Sequence, residues 1–239
     1  MTPSTTNHYD TFASEYADMV TRREEGGIEN DPIMPSFLEV IGDVARLNVL
    51  DAGCGEGYLS RILARRGAIV TGVDIAANLV QLGREKDLDN QITYQVADLS
   101  QPQPALKQHF DLIVSHLVMN DVPDYQGFLK TLGATIKPGG RLVFSMNNPY
   151  SFVMRSHITD YFDTGGAHSY RGMAEHGVKV HFYHRTLAQY LDACSAAGFQ
   201  LQRLIDIPTP EGAFTRRTDT LIPVGYHFPC FMVLSLCKA

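Results

Sequence analysis

An acidic residue followed by three alternating glycines is the feature of this 239-residue sequence best suited to holding a ligand. Asp51 ends an apolar run, Gly53, Gly55 and Gly57 follow it, and apolar residues then resume at helical spacing. This pattern predicts a strand, a glycine turn and a helix. Because glycine has no Cβ, a ligand can lie against the backbone of such a turn and the amide groups that start the helix. The alternative is a tight turn with only a structural role.

Charge beside the turn indicates which ligand fits. No lysine of the nucleotide-binding P-loop type follows Gly57, and Tyr58 stands where the dinucleotide motif G-x-G-x-x-G needs its third glycine. The Asp51 carboxylate, predicted at the mouth of the turn, repels a phosphate and attracts an ammonium or sulfonium group. S-adenosylmethionine carries both of these cationic groups.

The stretch from Val49 to Tyr58 resembles the first motif of the class I S-adenosylmethionine-dependent methyltransferases, in which an acidic residue precedes a G-x-G-x-G turn. Further motifs follow in the order of that family: Asp74 and Asp98 each come after a predicted strand, and residues 137–144 read as the turn into strand five. The resemblance is close over residues 47–146 and looser in the C-terminal third. It implies that Asp74 binds the ribose hydroxyls and Asp98 the adenine amino group.

The predicted cofactor contacts come from the glycine turn, the ends of the next strands and one N-terminal tyrosine. They are Tyr16, Asp51, Gly53, Cys54, Gly55, Tyr58, Asp74, Ile75, Asp98, Leu99 and His116.

Predicted strands and helices alternate from Leu47 onward, which favours a parallel sheet with helices on both faces. We predict an α/β fold with a doubly wound, mostly parallel, seven-stranded sheet, the Rossmann-like fold that the resemblance implies. Ligands of such sheets bind at the carboxyl ends of the strands. We expect one domain over residues 1–239, made of an N-terminal helical lid (1–46), a cofactor-binding core (47–146), a substrate-covering insertion after strand five (147–180), and a C-terminal helix with the last strands (181–239).

Two helices are predicted in the lid. Apolar residues at helical spacing give the first, before a polar segment at residues 22–30, and Asp31 with Pro32 supplies a cap and a first-turn proline for the second. Tyr9 and Tyr16 of the first helix either close over the cofactor and substrate or pack on the core.

Two polar residues near the end of strand four are candidates for catalysis. A base is needed only when the methyl acceptor is a poor nucleophile, such as a hydroxyl. His116 is the candidate base, because its ordinary pKa allows it to accept a proton near neutrality; the alternative is that it satisfies a backbone group at the strand end. Asn120 and its neighbour Asp121 either hold an amine or hydroxyl or serve the turn that starts the next helix.

The segment 147–178 is too long for a simple connection and is rich in polar aromatic residues, so we expect it to cover the substrate. The segment from Pro208 to Gly225 is a second candidate wall. The predicted substrate contacts are Tyr9, Asn120, Asn147, Tyr150, His168 and Tyr170.

The amino-acid composition limits the kinds of ligand and partner that the protein is expected to bind. A net charge of -6 disfavours nucleic acid, which needs a basic face. The four cysteines form no C-x-x-C pair or zinc pattern, and no convincing set of acids for magnesium is present, so we expect no bound metal. Residues 1–7 lack the features of a signal peptide, and no apolar run approaches the ~18 residues of a membrane helix. We expect a cytoplasmic protein, monomeric or homodimeric, with no membrane association.

These observations predict an enzyme that transfers a methyl group from S-adenosylmethionine to an oxygen or nitrogen of a small organic metabolite by in-line displacement. The alternative is a non-catalytic S-adenosylmethionine-binding sensor or partner module, because binding of the cofactor does not establish turnover.

Overall fold

The computed structural model describes residues 8–89, 91–155, 157–171, 179–208 and 228–239. The strands of its main sheet are β1 (Asn48–Ala52), β2 (Ile69–Asp74), β3 (Ile92–Val96), β4 (Phe110–His116), β5 (Ile136–Asn147), β8 (Phe199–Pro208) and β9 (Pro229–Lys238). A separate two-stranded sheet holds β6 (Ala167–Arg171) and β7 (Lys179–Tyr183). The main sheet has the order β3-β2-β1-β4-β5-β9-β8, with β9 antiparallel to both β5 and β8 and the other pairs parallel. The predicted α/β fold with a mostly parallel, seven-stranded sheet is confirmed.

Helices pack on both faces of the main sheet. They are α1 (Ala13–Gly26), α2 (Met34–Ile41), α3 (Tyr58–Arg65), α4 (Ala77–Lys86), α5 (Tyr125–Thr135), α6 (Pro149–Met154) and α7 (Leu187–Ala196). Short 3₁₀ turns occur at His8–Phe12, Ile28–Asn30 and Pro104–Leu106. No helix within the described ranges is long and apolar enough to cross a bilayer.

The central strand β1 is buried on both faces. Neighbouring side chains of a strand point to opposite sides of the sheet: Val49 packs in the cluster that contains Phe37 of α2, and Leu50 in the cluster that contains Phe128 of α5 and Tyr190 of α7. This double burial is typical of a central parallel strand. It fixes the position of the glycine turn that leaves the end of β1.

The lid differs from the prediction in two respects. Helix α1 continues through the polar segment to Gly26, and the first-turn proline of α2 is Pro35 rather than Pro32. Asp31 still caps α2, because its Oδ1 atom accepts the backbone N–H of Met34 at 2.9 Å. The cap therefore reaches the helix from three residues upstream.

An ion-pair network ties the lid to the glycine turn. Glu56, between Gly55 and Gly57, is only 1% exposed and contacts Arg61 Nη2 at 3.2 Å and Lys86 Nζ at 2.8 Å. Arg61 also pairs with Glu24 of α1 at 3.0 Å. The Arg61 guanidinium therefore joins the lid helix to the turn.

The insertion after β5 forms α6 and the β6–β7 hairpin. Phe152 of α6 stacks on Phe182 of β7 at 4.3 Å between ring centroids, and the Tyr183 N–H donates to the Asn120 carbonyl at 2.7 Å. The predicted wall from Pro208 to Gly225 lies, apart from Pro208 itself, outside the described residues.

Candidate functional site

A cavity of about 340 Å³ lies at the carboxyl ends of β1, β2, β3 and β4. This is the position at which ligands of doubly wound sheets bind. Its walls come from the glycine turn, the residues that follow β2 and β3, the start of α5, the lid, and residues 117–124, which we call the β4–α5 loop. The volume falls within the range of small-molecule sites, roughly 300–1,000 Å³.

The glycine turn forms one wall of the cavity with its backbone. Gly53 and Gly55 line the cavity and have φ angles of 81° and 53°, a left-handed conformation that favours glycine. A Cβ at Gly53 would collide with the side chain of Val118 on the β4–α5 loop. The turn and this loop therefore approach each other closely only because residue 53 has no side chain.

Asp74, at the end of β2, links the turn to the cavity. Its Oδ2 atom accepts the Gly55 N–H at 2.8 Å and its Oδ1 atom accepts the Ala76 N–H at 2.8 Å. Burial raises the pKa of this carboxyl, and the two backbone donors act against that rise. A carboxylate offers about four acceptor positions, so Asp74 can accept further donors from the cavity side.

Three more predicted cofactor residues line the cavity. Ile75 and Leu99 offer apolar surface after β2 and β3. Asp98 Oδ1 accepts the Ser100 N–H at 2.8 Å, which fixes the carboxyl at the start of the segment after β3. The structure thus gathers residues from two strand ends in one place, and their contact with a cofactor stays a prediction.

His116 lines the cavity at the end of β4. Its Nδ1 atom lies 2.7 Å from Ser145 Oγ on β5, and its ring packs 5.2 Å from that of Phe37. Burial lowers its pKa from 6.5 to about 4, although Asp31 acts in the opposite direction. His116 is therefore uncharged near neutrality, and it is a weaker base than its ordinary pKa suggests.

Asp121 and Tyr9 meet across the cavity. Tyr9, in the first turn of the lid, donates its hydroxyl to Asp121 Oδ2 at 2.6 Å. Tyr16 lies beside it, with ring centroids 5.6 Å apart, and all three residues line the cavity. Burial raises the pKa of Asp121 from 3.8 to about 7, and the Tyr9 hydroxyl lowers it in part. The two tyrosines thus lie over the cavity, although Tyr16 also packs against the apolar core.

A family model described as a methyltransferase domain matches residues 11–212, most of the chain. The chain belongs to this methyltransferase-domain family. The predicted resemblance to S-adenosylmethionine-dependent methyltransferases is confirmed.

Curated relatives of this methyltransferase-domain chain include O-methyltransferases. It is 38% identical over 120 residues to the ubiquinone biosynthesis O-methyltransferase of Coxiella burnetii (strain RSA 493 / Nine Mile phase I), a match of 49% of this chain and 51% of the relative. The chain thus spans about half the length of the curated relatives it matches.

Solved structures share the fold over most of the chain. An S-adenosylmethionine-dependent methyltransferase from Mesorhizobium loti is 25% identical, with a TM-score of 0.71 over 89% of this chain and 100% of that one. The magnesium protoporphyrin IX methyltransferase from Synechocystis PCC 6803, solved with bound S-adenosylhomocysteine, is 21% identical, with a TM-score of 0.57 over 85% and 79% of the two chains. At that identity the second likeness shows only the fold.

Three predicted cofactor residues lie under the glycine turn of the methyltransferase domain and are not among the described residues that line the cavity. Asp51 is 1% exposed and accepts the Ser60 hydroxyl at 2.6 Å. Cys54 packs against Gly72, and Tyr58 belongs to the apolar core. The expectation that Asp51 stands at the mouth of the turn is therefore corrected, because the start of α3 folds back over its carboxyl.

The Asn120 side chain has a structural role rather than a place in the cavity lining. Its side chain is 1% exposed, its Oδ1 atom accepts the Asn147 N–H at 2.9 Å, and its Nδ2 atom donates to the Tyr190 hydroxyl at 3.4 Å. It joins the β4–α5 loop to the end of β5 and does not line the cavity. Its neighbour Asp121 is the residue that reaches the cavity.

Most of the remaining predicted substrate residues also lie away from the cavity. Asn147 is held by Asn120, Tyr150 stacks on Tyr161 at 4.7 Å, and His168 stacks on Phe182 at 5.3 Å. Tyr170 pairs through its backbone with Val180 in the β6–β7 hairpin. The described aromatic side chains of the insertion therefore pack largely on one another. Among the predicted substrate residues whose side chains are described, Tyr9 is the one that lines the cavity.

Sequence reasoning missed the apolar wall opposite the glycine turn. Val118, Val122, Pro123 and Phe128 line the cavity from the β4–α5 loop and the start of α5. The signal available was an apolar stretch that continues past the end of β4. Connecting segments are usually polar and exposed, whereas this one contributes apolar side chains to the cavity. Within the described residues no group of three or more His, Cys, Asp or Glu side chains could hold a metal ion.

Proposed function

We propose that this protein transfers a methyl group from S-adenosylmethionine to an oxygen or nitrogen atom of a small organic metabolite. Membership of the methyltransferase-domain family and the likeness to the Mesorhizobium loti enzyme support the reaction. The names of the curated relatives, which are O-methyltransferases, support a small-molecule acceptor.

The observation that carries the proposal is the position of Asp74. Its carboxyl lines the cavity while also holding the Gly55 N–H, so it can accept the ribose hydroxyls of a nucleoside that lies along the glycine turn. Ile75 and Leu99 would contact the base, and Asp98 would accept its amino group. A phosphate would meet Asp74 and Asp98 without a lysine or arginine among the described lining residues, so a phosphorylated nucleotide fits poorly.

When bound, S-adenosylmethionine supplies a methyl group on a sulfonium, which leaves as a thioether without needing a proton. The protein's task is then to align the acceptor and to exclude water. Tyr9 and Tyr16 would cover the reacting groups, and Val118, Val122 and Phe128 would provide a dry wall against the acceptor.

We also propose that the chain acts as one domain in which the lid and the insertion flank the cofactor-binding core. The Glu24–Arg61–Glu56 network supports this for the lid. The hydrogen bond from Tyr183 to the Asn120 carbonyl supports it for the insertion.

Release of S-adenosylhomocysteine tests the proposed activity. The protein is incubated with S-adenosylmethionine and a panel of phenols, catechols and primary amines, followed by small-molecule cell extracts. We expect product with at least one acceptor, and an Asp74→Ala variant with at least about a tenfold higher KM for S-adenosylmethionine, because it loses acceptors for the ribose. Binding of S-adenosylhomocysteine without turnover in any mixture would instead favour a sensor.

A further inference from the structure

Asp121 is a carboxyl in the cavity that the proposed cofactor contacts do not use. It follows β4, lines the cavity, and makes one described side-chain hydrogen bond, in which its Oδ2 atom accepts the Tyr9 hydroxyl at 2.6 Å. Among the described residues its Oδ1 atom has no hydrogen-bond partner. A carboxylate oxygen that faces a cavity with spare acceptor positions is suited to receive a donor from a ligand.

The charges around Asp121 have one sign. Four aspartates line the cavity, namely Asp74, Asp98, Asp121 and Asp124, and no lysine or arginine does so among the described residues. His116, with its pKa lowered by burial to about 4, adds no positive charge near neutrality. Burial raises the pKa of Asp121 to about 7, so above that pH its carboxyl is ionised and the cavity is anionic on the side that is left for the acceptor.

The guanidinium of Arg185 packs on the same loop but does not offset this charge. It donates to the backbone carbonyls of Val122 and Pro123, both at 2.7 Å, and lies over the Tyr125 ring at 4.3 Å from the centroid. Its donors thus go to backbone carbonyls of the loop, and Arg185 is not among the described residues that line the cavity.

The other three aspartates have defined positions. Asp74 and Asp98 hold backbone N–H groups beside the proposed nucleoside site. Asp124 is exposed and caps α5, because its Oδ1 atom accepts the Gly127 N–H at 2.9 Å. Asp121 is left as the carboxyl that can serve the acceptor.

We propose that Asp121, positioned by Tyr9, binds the methyl acceptor through an N–H or O–H group, and that the acceptor is neutral or positively charged rather than anionic. This inference rests on the proposed function and adds a substrate class to it. An acceptor with a carboxylate or phosphate near Asp121 would meet uncompensated negative charge in a partly desolvated site, where Coulomb repulsion is much stronger than in water.

Three ligands with one scaffold and different charges test the proposal: benzylamine, benzyl alcohol and benzoate. Each is titrated at about pH 8, where Asp121 is ionised, into the protein saturated with S-adenosylhomocysteine. Binding is measured by calorimetry or ligand-observed NMR. We expect benzylamine and benzyl alcohol to bind, and benzoate to bind at least about tenfold more weakly than benzylamine.

Two matched variants test whether Asp121 is the carboxyl that binds benzylamine. Asp121→Asn keeps an oxygen that can accept the Tyr9 hydroxyl but removes the charge, and we expect it to weaken benzylamine binding about tenfold or more. Asp124→Asn makes the same change in the same cavity while keeping the helix cap, and we expect little change in benzylamine binding. S-adenosylhomocysteine should bind both variants as tightly as it binds the wild type.

Several outcomes would overturn the proposal: benzoate binding as tightly as benzylamine, no ligand of the three binding, or Asp121→Asn leaving benzylamine affinity unchanged. A large loss of S-adenosylhomocysteine affinity in Asp121→Asn would also overturn it, because the carboxyl would then serve the cofactor. Failure of the wild type to bind S-adenosylhomocysteine would instead contradict the proposed function. In that case the benzylamine and benzoate titrations on the unliganded protein would still decide the role of Asp121.

Discussion

At the residue scale, the Asp51 carboxyl shows how a motif residue can support a site without lining its cavity. Burial raises its pKa from 3.8 to about 7, while the Ser60 hydroxyl stabilises the ionised form. Because the folded-state pKa exceeds the unfolded value, the folded state binds the proton more tightly. The contribution of Asp51 to stability therefore falls as the pH rises from about 4 to about 7.

Removing the Ser60 hydroxyl should make this pH dependence steeper. In Ser60→Ala the ionised Asp51 carboxyl loses its side-chain donor, so we expect the free energy of unfolding to fall by about 1–3 kcal/mol at pH 8 and by less at pH 5, where Asp51 is protonated. Urea unfolding at the two pH values measures the difference. Ser195→Ala, on the exposed side of α7, is the control and should change little. An equal loss for Ser60→Ala at both pH values would contradict the assignment.

At the element scale, the β4–α5 loop decides the shape of the cavity. Leu117 at its start has a positive φ of 59°, which is uncommon for a residue with a side chain. Arg185, just after β7 and 6% exposed, holds the loop through the carbonyls of Met119, Val122 and Pro123. Strained backbone held by its surroundings is typical of binding sites.

A substitution at Arg185 should show whether the β4–α5 loop serves acceptor binding without affecting cofactor binding. Arg185→Lys keeps the charge but cannot reach three carbonyls at once, so we expect a loss of about 1–3 kcal/mol in the free energy of unfolding. We also expect weaker benzylamine binding, with S-adenosylhomocysteine binding retained. Arg203→Lys, at an exposed ion pair with Glu39, is the matched control and should have no measurable effect. Parallel loss of both ligands in Arg185→Lys would show that the loop does not act separately.

At the scale of the whole molecule, the parts of the fold that depend on local sequence were predictable. The strand, the glycine turn and α3 follow from hydrophobic spacing and three glycines, and Asp74 and Asp98 follow from their places after strands. The positions of Asp51 and Tyr58 were not predictable in this way, because they depend on packing. Ser60 of α3 donates to the buried Asp51 carboxyl, and Tyr58 packs in the apolar cluster that contains Phe37.

Residues that reach the cavity through long-range packing were also harder to predict. Asp121 and Asn120 are neighbours in the sequence. The Asn120 side chain is hydrogen-bonded to Asn147 at the end of β5, whereas Asp121 lines the cavity. The aromatic density of the insertion predicted a substrate wall around Tyr150 and His168. These rings instead stack on Tyr161 and Phe182 within the insertion, a pairing that composition does not reveal.

Calorimetric titration of S-adenosylhomocysteine into the wild type and an Asp74→Asn variant tests the central claim most directly. We predict one binding site in the wild type, and roughly a ten- to hundredfold weaker affinity in Asp74→Asn, which replaces a charged hydrogen-bond acceptor by a neutral amide. NAD should not bind either protein. Unchanged affinity in Asp74→Asn, or binding of NAD in place of S-adenosylhomocysteine, would contradict the account.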